Sequence, residues 1–363
     1  MNDRLGLSLS QSLVLLVVGT LIGGVSALIA ILLCHYVLNF GGADSAEKHG
    51  ISQLEATRIG GVMIVAYLSL NLAFQVVALG TDVLNEATAL VLLGSLPFFC
   101  LGLYEDWHGV LSARFRFAAM IVFAALIVGI APDFVIAPIG VDWLDAMLFN
   151  HYIVAVVITV ICVAFLPNAF NTADGANGLI SGIACVASIA LAIEAPAAMQ
   201  PFLYSTAVAC LLFLVYNLAT GRFFLGDGGA YFLGALVALA VIQTANQSDV
   251  AVGYLLSLIS YPVIDLLFSM ARRAVTGVSP FKPDNEHLHN LLFAMFNRSV
   301  TLGTQANTLS GLSIAVFFGC IPVVVYQGFG VVSYPAWLLL YLVLWAVYLG
   351  VWYWLAKRVC VLG

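Results

Sequence analysis

Apolar residues run through this chain in long uninterrupted blocks, separated by short polar stretches. The apolar character runs all the way round each block, as it does where a helix is buried or bathed in lipid. A helix needs roughly 20 apolar residues to cross a bilayer, and the blocks predict eleven spans near 12–38, 59–80, 86–104, 115–131, 151–167, 178–194, 202–219, 229–246, 250–271, 309–328 and 332–356. No internal repeat and no low-complexity linker divides them. The expected fold class is all-α, a polytopic integral membrane protein forming a single domain over residues 1–363.

Composition agrees. Of 363 residues 63% are hydrophobic and 8% charged, with a mean hydropathy of +1.08, whereas soluble domains are nearer half apolar and a quarter charged. The net charge of −6 says little about partners, because placement outweighs the sum. The seven cysteines show no CxxC or metal spacing, and most lie in apolar runs where a thiol behaves as a small hydrophobe, so no disulfide is expected. The first apolar run is too long for a signal-peptide core and has no basic lead-in, so no cleavage is expected. With the N-terminus outside, all the Lys and Arg residues except Arg4 fall on the inner side or at inner helix ends, while the outer loops carry acids without bases. Short cytoplasmic loops hold such an excess of positive charge.

That orientation collects five polar segments on one face, at about 43–61, 104–114, 167–178, 216–230 and 272–308. The first carries Asp44, Lys48, His49 and Arg58 ahead of Gly60-Gly61, where basic groups near a helix start suit phosphate as well as ordinary anchoring. Glu105 and Asp106 are adjacent carboxylates where a span meets the cytosol, as a hard cation or a solvated helix end would use them. The segment PNAFNTADGANG packs Asn168, Asn171, Asp174 and Asn177 into ten residues, a polar density that neither a span nor a plain connector needs. Asp174 also suits capping of the span that follows. Asp227 stands between Gly226 and Gly228-Gly229, with Asn217 ten residues earlier. Small residues permit close helix packing, which accounts for the glycines and not for the aspartate. In SPFKPDNEHLHNLL, His287 and His289 are two apart rather than the four apart of a helical zinc pair, and imidazoles there suit phosphate contact or proton transfer. Asp265, inside the ninth span near its inner end, is expensive in lipid, and function, a hydrogen bond between helices or a contact with Arg272 would each account for it.

Taken together, N168-xx-N171-xx-D174-G-xx-G178-L, N217 with F224-L-G-D227-x-G229, H287-L-H289, K48-H49 with R58-x-G60-G61, and Glu105-Asp106 resemble the polyprenyl-phosphate N-acetylhexosamine-1-phosphate transferases. The likeness runs from about Asp44 to Asn290. It implies a transferase that moves a phospho-sugar from a UDP-N-acetylhexosamine to undecaprenyl phosphate, releasing UMP, with Mg²⁺ (or Mn²⁺) as cofactor. Its setting would be the bacterial inner membrane, with the site facing the cytoplasm. The expected partners are those two substrates and membrane lipid rather than nucleic acid, and a homodimer is one assembly the resemblance allows. Carried over position by position, Asp227 resembles a Mg²⁺ ligand, and Asp106 with Glu105 resembles the acidic pair near the lipid phosphate and metal. Asp174 matches a loop aspartate of catalysis or nucleotide binding. His287 and His289 match the His-x-His motif, Asn217 a nucleotide contact, and Lys48 and Arg58 anion contacts. Asn168, Asn171 and Asn177 complete the binding loop.

Two positions depart from the pattern. Glu105 stands where the family usually has Asp, and Asn177 where many members carry a second Asp. The His-x-His form looks more like the branch that initiates O-antigen or teichoic acid than the phospho-MurNAc-pentapeptide branch, which has a longer histidine run. UDP-GlcNAc or a related N-acetylated amino sugar is therefore the expected donor, with the muramyl-pentapeptide transferase as the alternative. A secondary transporter is the alternative of another class. It binds substrate near the bilayer midplane, usually between repeated halves, and here the acids line one face.

Overall fold

The computed structural model describes Gly24 and residues 57–79, 84–137, 139–221, 223–280, 282, 284–300, 302–330 and 333–361. The expected first span, 12–38, lies outside the described residues, Gly24 apart. So does the segment with Asp44, Lys48 and His49.

The described residues form helices joined by short turns. In chain order these are α1 (Gly60–Leu79), α2 (Glu86–His108), α3 (Ala113–Ile130), α4 (Asp142–Asn150), α5 (Tyr152–Ala173), α6 (Leu179–Glu194), α7 (Gln200–Thr220) and α8 (Gly226–Gln247). They continue with α9 (Val252–Leu258), α10 (Ser260–Val275), α11 (Leu288–Phe296), α12 (Gly303–Gly328, partly π-helical) and α13 (Tyr334–Val361). Among the described residues eight helices are long and apolar enough to cross a membrane, or nine if α9 and α10 form one span. The count of eleven is left untested, because the first expected span lies outside the described residues. The 16-residue α6 is apolar but short.

The expected span 250–271 is broken, with its halves bent by 72°. Pro262 sits in the first turn of α10 and has no N–H to give the Leu258 carbonyl, so the helix parts at Ile259 rather than running through.

The helix α8 is the axis of the bundle. Its residues from Gly228 to Thr244 are buried without a break, and it packs against α2, α5, α1 and α6. Small residues bring the backbones together. A Cβ on Gly61 would stand 2.3 Å from the Gly229 nitrogen, one on Gly102 2.4 Å from the Asp227 carbonyl, and one on Gly234 2.5 Å from the Pro167 Cα. Dispersion at such short range does for helices in lipid what hydrophobic burial does in water.

A candidate active site at the start of the central helix

Helix ends expose backbone N–H groups that need partners, and the start of α8 finds them in another helix. Asp106, on the last turn of α2, accepts from the Asp227 N–H through Oδ1 at 2.9 Å and from the Gly228 N–H through Oδ2 at 2.8 Å. Gly226 makes this approach feasible. Its φ is +76°, and a Cβ there would lie 2.7 Å from Asp106 Oδ2. Residues 57–61 run alongside, with Phe224 N–H donating to Thr57 O at 2.8 Å and Gly60 and Gly61 N–H to Phe224 O and Leu225 O. That pairing brings the Arg58 guanidinium to 3.9 Å from Asp106.

Asp227 is the first acid of α8. Arg116, from the first turn of α3, donates to its Oδ2 at 2.5 Å, and the Tyr231 hydroxyl lies 3.4 Å from the same oxygen. Asn171 Nδ2 in turn donates to Tyr231 Oη at 3.2 Å. Glu105 is turned elsewhere: its Oε2 accepts from the Leu111 N–H at 2.8 Å, bracing the α2–α3 turn, while Oε1 sits 3.6 Å from Arg116.

The segment 167–178 is less of a loop than expected. Helix α5 continues through Pro167 to Ala173, so Asn168 and Asn171 lie on its last two turns and Asp174 caps its end. Asn168 makes no side-chain hydrogen bond to this cluster among the described residues. Burial, and then the negative charge of Asp227, raise the Asp174 carboxyl to about 7, with Arg58 opposing. Asn177 is held from two sides. Its N–H donates to Asn307 Oδ1 at 2.5 Å, and Asn217 Nδ2 reaches its Oδ1 at 3.4 Å while donating to Phe223 O at 2.7 Å. Asn217 Oδ1 is buried with no partner among the described residues, an acceptor open to a ligand donor.

The histidines close the site from the other side. Both are buried, their rings are parallel within 4° and their centroids 5.4 Å apart. A Cβ on Gly175 would meet His289 Nε2 at 2.1 Å, so that ring lies directly on the Asp174-Gly175 turn. The expected long loop 272–308 contains α11 and the start of α12, and His287 is the residue just before α11.

The structure thus brings Arg58, Asp106, Asp174, Asp227 and His289 to one end of the bundle, with Glu105 behind Arg116. Arg116, Tyr231, Asn307 and Tyr261, whose hydroxyl lies 3.1 Å from His289 Nδ1, belong to the same assembly and were not singled out in the sequence. Arg116 was visible there only as inner-side positive charge, and the other three carry no sequence signal, being an aromatic or amide within apolar helices.

Residues 88–245 match the model of glycosyl transferase family 4, and that segment holds Asp106, Asp174, Asn217 and Asp227. The likeness to the family lies in that segment. An undecaprenyl-phosphate alpha-N-acetylglucosaminyl 1-phosphate transferase of Thermotoga maritima is 30% identical over 210 residues, 58% of this chain and 63% of that protein. A protein of the same name from Escherichia coli K12 is 29% identical over 192 residues, half of each chain. A probable undecaprenyl-phosphate N-acetylglucosaminyl 1-phosphate transferase of Bacillus subtilis is 24% identical over 265 residues, 71% of each. The match to the first two spans less than two thirds of their length.

Proposed function

We propose that this membrane protein transfers GlcNAc-1-phosphate, or the phosphate of a closely related N-acetylated amino sugar, from its UDP derivative to undecaprenyl phosphate. The products are undecaprenyl-diphospho-sugar and UMP, the first step of an O-antigen or another surface glycan. The observation that carries the reading is the gathering of Asp106, Arg116, Asp174 and Asp227, all inside the segment 88–245 that matches the family model, around the start of α8, with Arg58 beside them. The names of the relatives favour GlcNAc over a muramyl-pentapeptide donor. The protein is placed in the bacterial inner membrane with this end of the bundle in the cytoplasm, where UDP-sugars are made, as the distribution of Lys and Arg supports.

An oxygen of the lipid phosphate attacks the sugar-bearing phosphorus, the bond from that phosphorus to the bridging oxygen breaks, and UMP leaves with the electron pair. Several negative charges meet in this step, so positioning and charge compensation supply most of the catalysis. Arg58 and Arg116 supply fixed positive charge, and Asn217 Oδ1 offers an acceptor to the nucleotide.

The carboxylates also fit a Mg²⁺. Asp227 and Asp174 repel each other across the site, and Asp174 has no hydrogen-bond donor among the described residues. Both oxygens of Asp106 are already engaged by the α8 backbone, so Asp227 with Asp174 suits the ion better than Asp227 with Asp106. No larger ligand cluster forms among the described residues, which suits an ion that binds through one or two carboxylates and completes its shell with water and substrate phosphates. Bound there, it would offset charge on the diphosphate and leaving group.

The test is release of UMP by the purified protein given undecaprenyl phosphate, Mg²⁺ and a panel of UDP-amino sugars. Lipid-dependent release from one donor, lost in Asp227→Asn and under EDTA, is expected. A folded protein that releases UMP from none of them refutes the reading.

A further inference from the structure

The two histidines sit side by side but have different partners. His287 turns Nδ1 to Asp265 Oδ2 at 2.7 Å, whereas His289 turns Nδ1 to the Tyr261 hydroxyl at 3.1 Å. Asp265 belongs to α10 and is fully buried. Its other oxygen accepts from the Tyr348 hydroxyl of α13 at 2.6 Å, and the Leu288 N–H lies 3.4 Å from it. A carboxylate in a membrane helix is destabilising unless its charge is matched. A bond made only to join helices needs no charge, because an amide at 265 could accept from Tyr348 equally well. What a carboxylate does that an amide cannot is hold an imidazolium.

The charged groups facing His287 point the same way. Burial alone would keep it neutral, but Asp265, aided by Asp284, lifts the imidazole above its ordinary value against opposition from Arg273. His289 has no such partner, and burial lowers it to about 4.

We propose that Asp265, held in place by Tyr348, is a positioning residue. It fixes His287 with Nε2 as the ring nitrogen left for substrate, so that one charged and one neutral imidazole face the phosphates bound beside Asp174. Asp265 touches no reacting atom, and it ties the broken α9–α10 span and the last helix to the site. The proposal rests on the transferase reading above, and its test separates the two.

Full-length protein in detergent, with undecaprenyl phosphate and UDP-GlcNAc, would be compared with Asp265→Asn, Asp265→Glu and Tyr348→Phe. For Asp265→Asn, kcat should fall on the order of 10- to 100-fold, as when a carboxylate that orients a metal-ligating histidine is lost, with KM little changed. The alkaline limb of the kcat profile should move about one pH unit or more toward acid, because the cation has lost its counter-charge. Asp265→Glu should recover part of the rate, and Tyr348→Phe should act in the same direction more weakly. In ¹⁵N-histidine spectra, the titration that disappears in His287→Gln should move to lower pH in Asp265→Asn. A folded Asp265→Asn with the wild-type pH profile and unchanged His287 titration overturns the proposal. If Asp265→Asn does not fold, the same pair of readings on Tyr348→Phe decides. If the wild type turns over no UDP-sugar, the transferase reading fails, and the spectra alone still test the pairing.

Discussion

Replacing Asp106 by Asn distinguishes two jobs for this carboxylate. The sequence resemblance makes it a metal ligand, whereas the structure makes it the cap of α8. Both of its partners are N–H donors, at 2.9 and 2.8 Å. An amide can therefore satisfy only one of them, and flipping it does not help, because its NH₂ then faces the other. One N–H at a buried helix start is left unpaired. A buried donor without a partner costs about 1–3 kcal/mol. The Asp106 side chain is only 2% exposed, so solvent repairs little, and the loss should be about 1–3 kcal/mol. Soluble chains of 150–250 residues lose about 2–4 °C of Tm per kcal/mol, and longer ones less. A fall of about 1–6 °C is expected in a detergent melt followed by tryptophan fluorescence. UMP release should fall with it, since the cap aims Asp227. An unchanged Tm, alongside abolished turnover, would refute the capping argument and return Asp106 to the substrate or the metal.

Three further outcomes are expected. Arg116→Gln keeps a donor but removes the charge beside Asp227, and kcat should drop about 10²–10³-fold, the usual loss for one preorganised electrostatic contact; a change under threefold in a steady-state assay would exclude Arg116 from the site. Gly102→Ala places a methyl 2.4 Å from the Asp227 backbone, where neither helix can yield cheaply, so a loss of at least about 1–3 kcal/mol should appear as a lower Tm and weaker expression. The histidines should give stability opposite pH slopes. His289 takes up a proton near 6.5 when unfolded but only near 4 when folded, so its contribution is present above about 6.5 and lost as pH falls toward 4, by up to about 3 kcal/mol. His287, raised by Asp265, contributes below about 6.5 and loses that contribution as pH rises through its folded value. Melts from pH 4.5 to 8.5 should therefore show a flatter acid limb in His289→Gln and a flatter alkaline limb in His287→Gln, and limbs unchanged by both replacements would contradict the assignment.

The sequence by itself determined the class and the inventory of chemistry. Long apolar runs have one stable form in lipid, because every backbone polar group must be satisfied within its own helix. Polar residues that interrupt such runs stand out against that background, which is why Asp106, Asp174, Asp227 and the histidines could be named in advance. Tertiary structure alone decided what each group faces. Asp106 and Glu105 are neighbours in sequence, yet one caps α8 and the other braces a turn, because successive residues of a helix point about 100° apart. Arg116 became a partner of Asp227 only when α3 folded back against α5 and brought its first turn within side-chain reach of the start of α8. Asp265 looked equally like a structural bond or a functional group until Tyr348, 83 residues away, and His287 were found on its two oxygens. Contacts across such separations depend on how helices cross and where Gly61, Gly102 and Gly234 let them approach, and no periodicity along the chain records that.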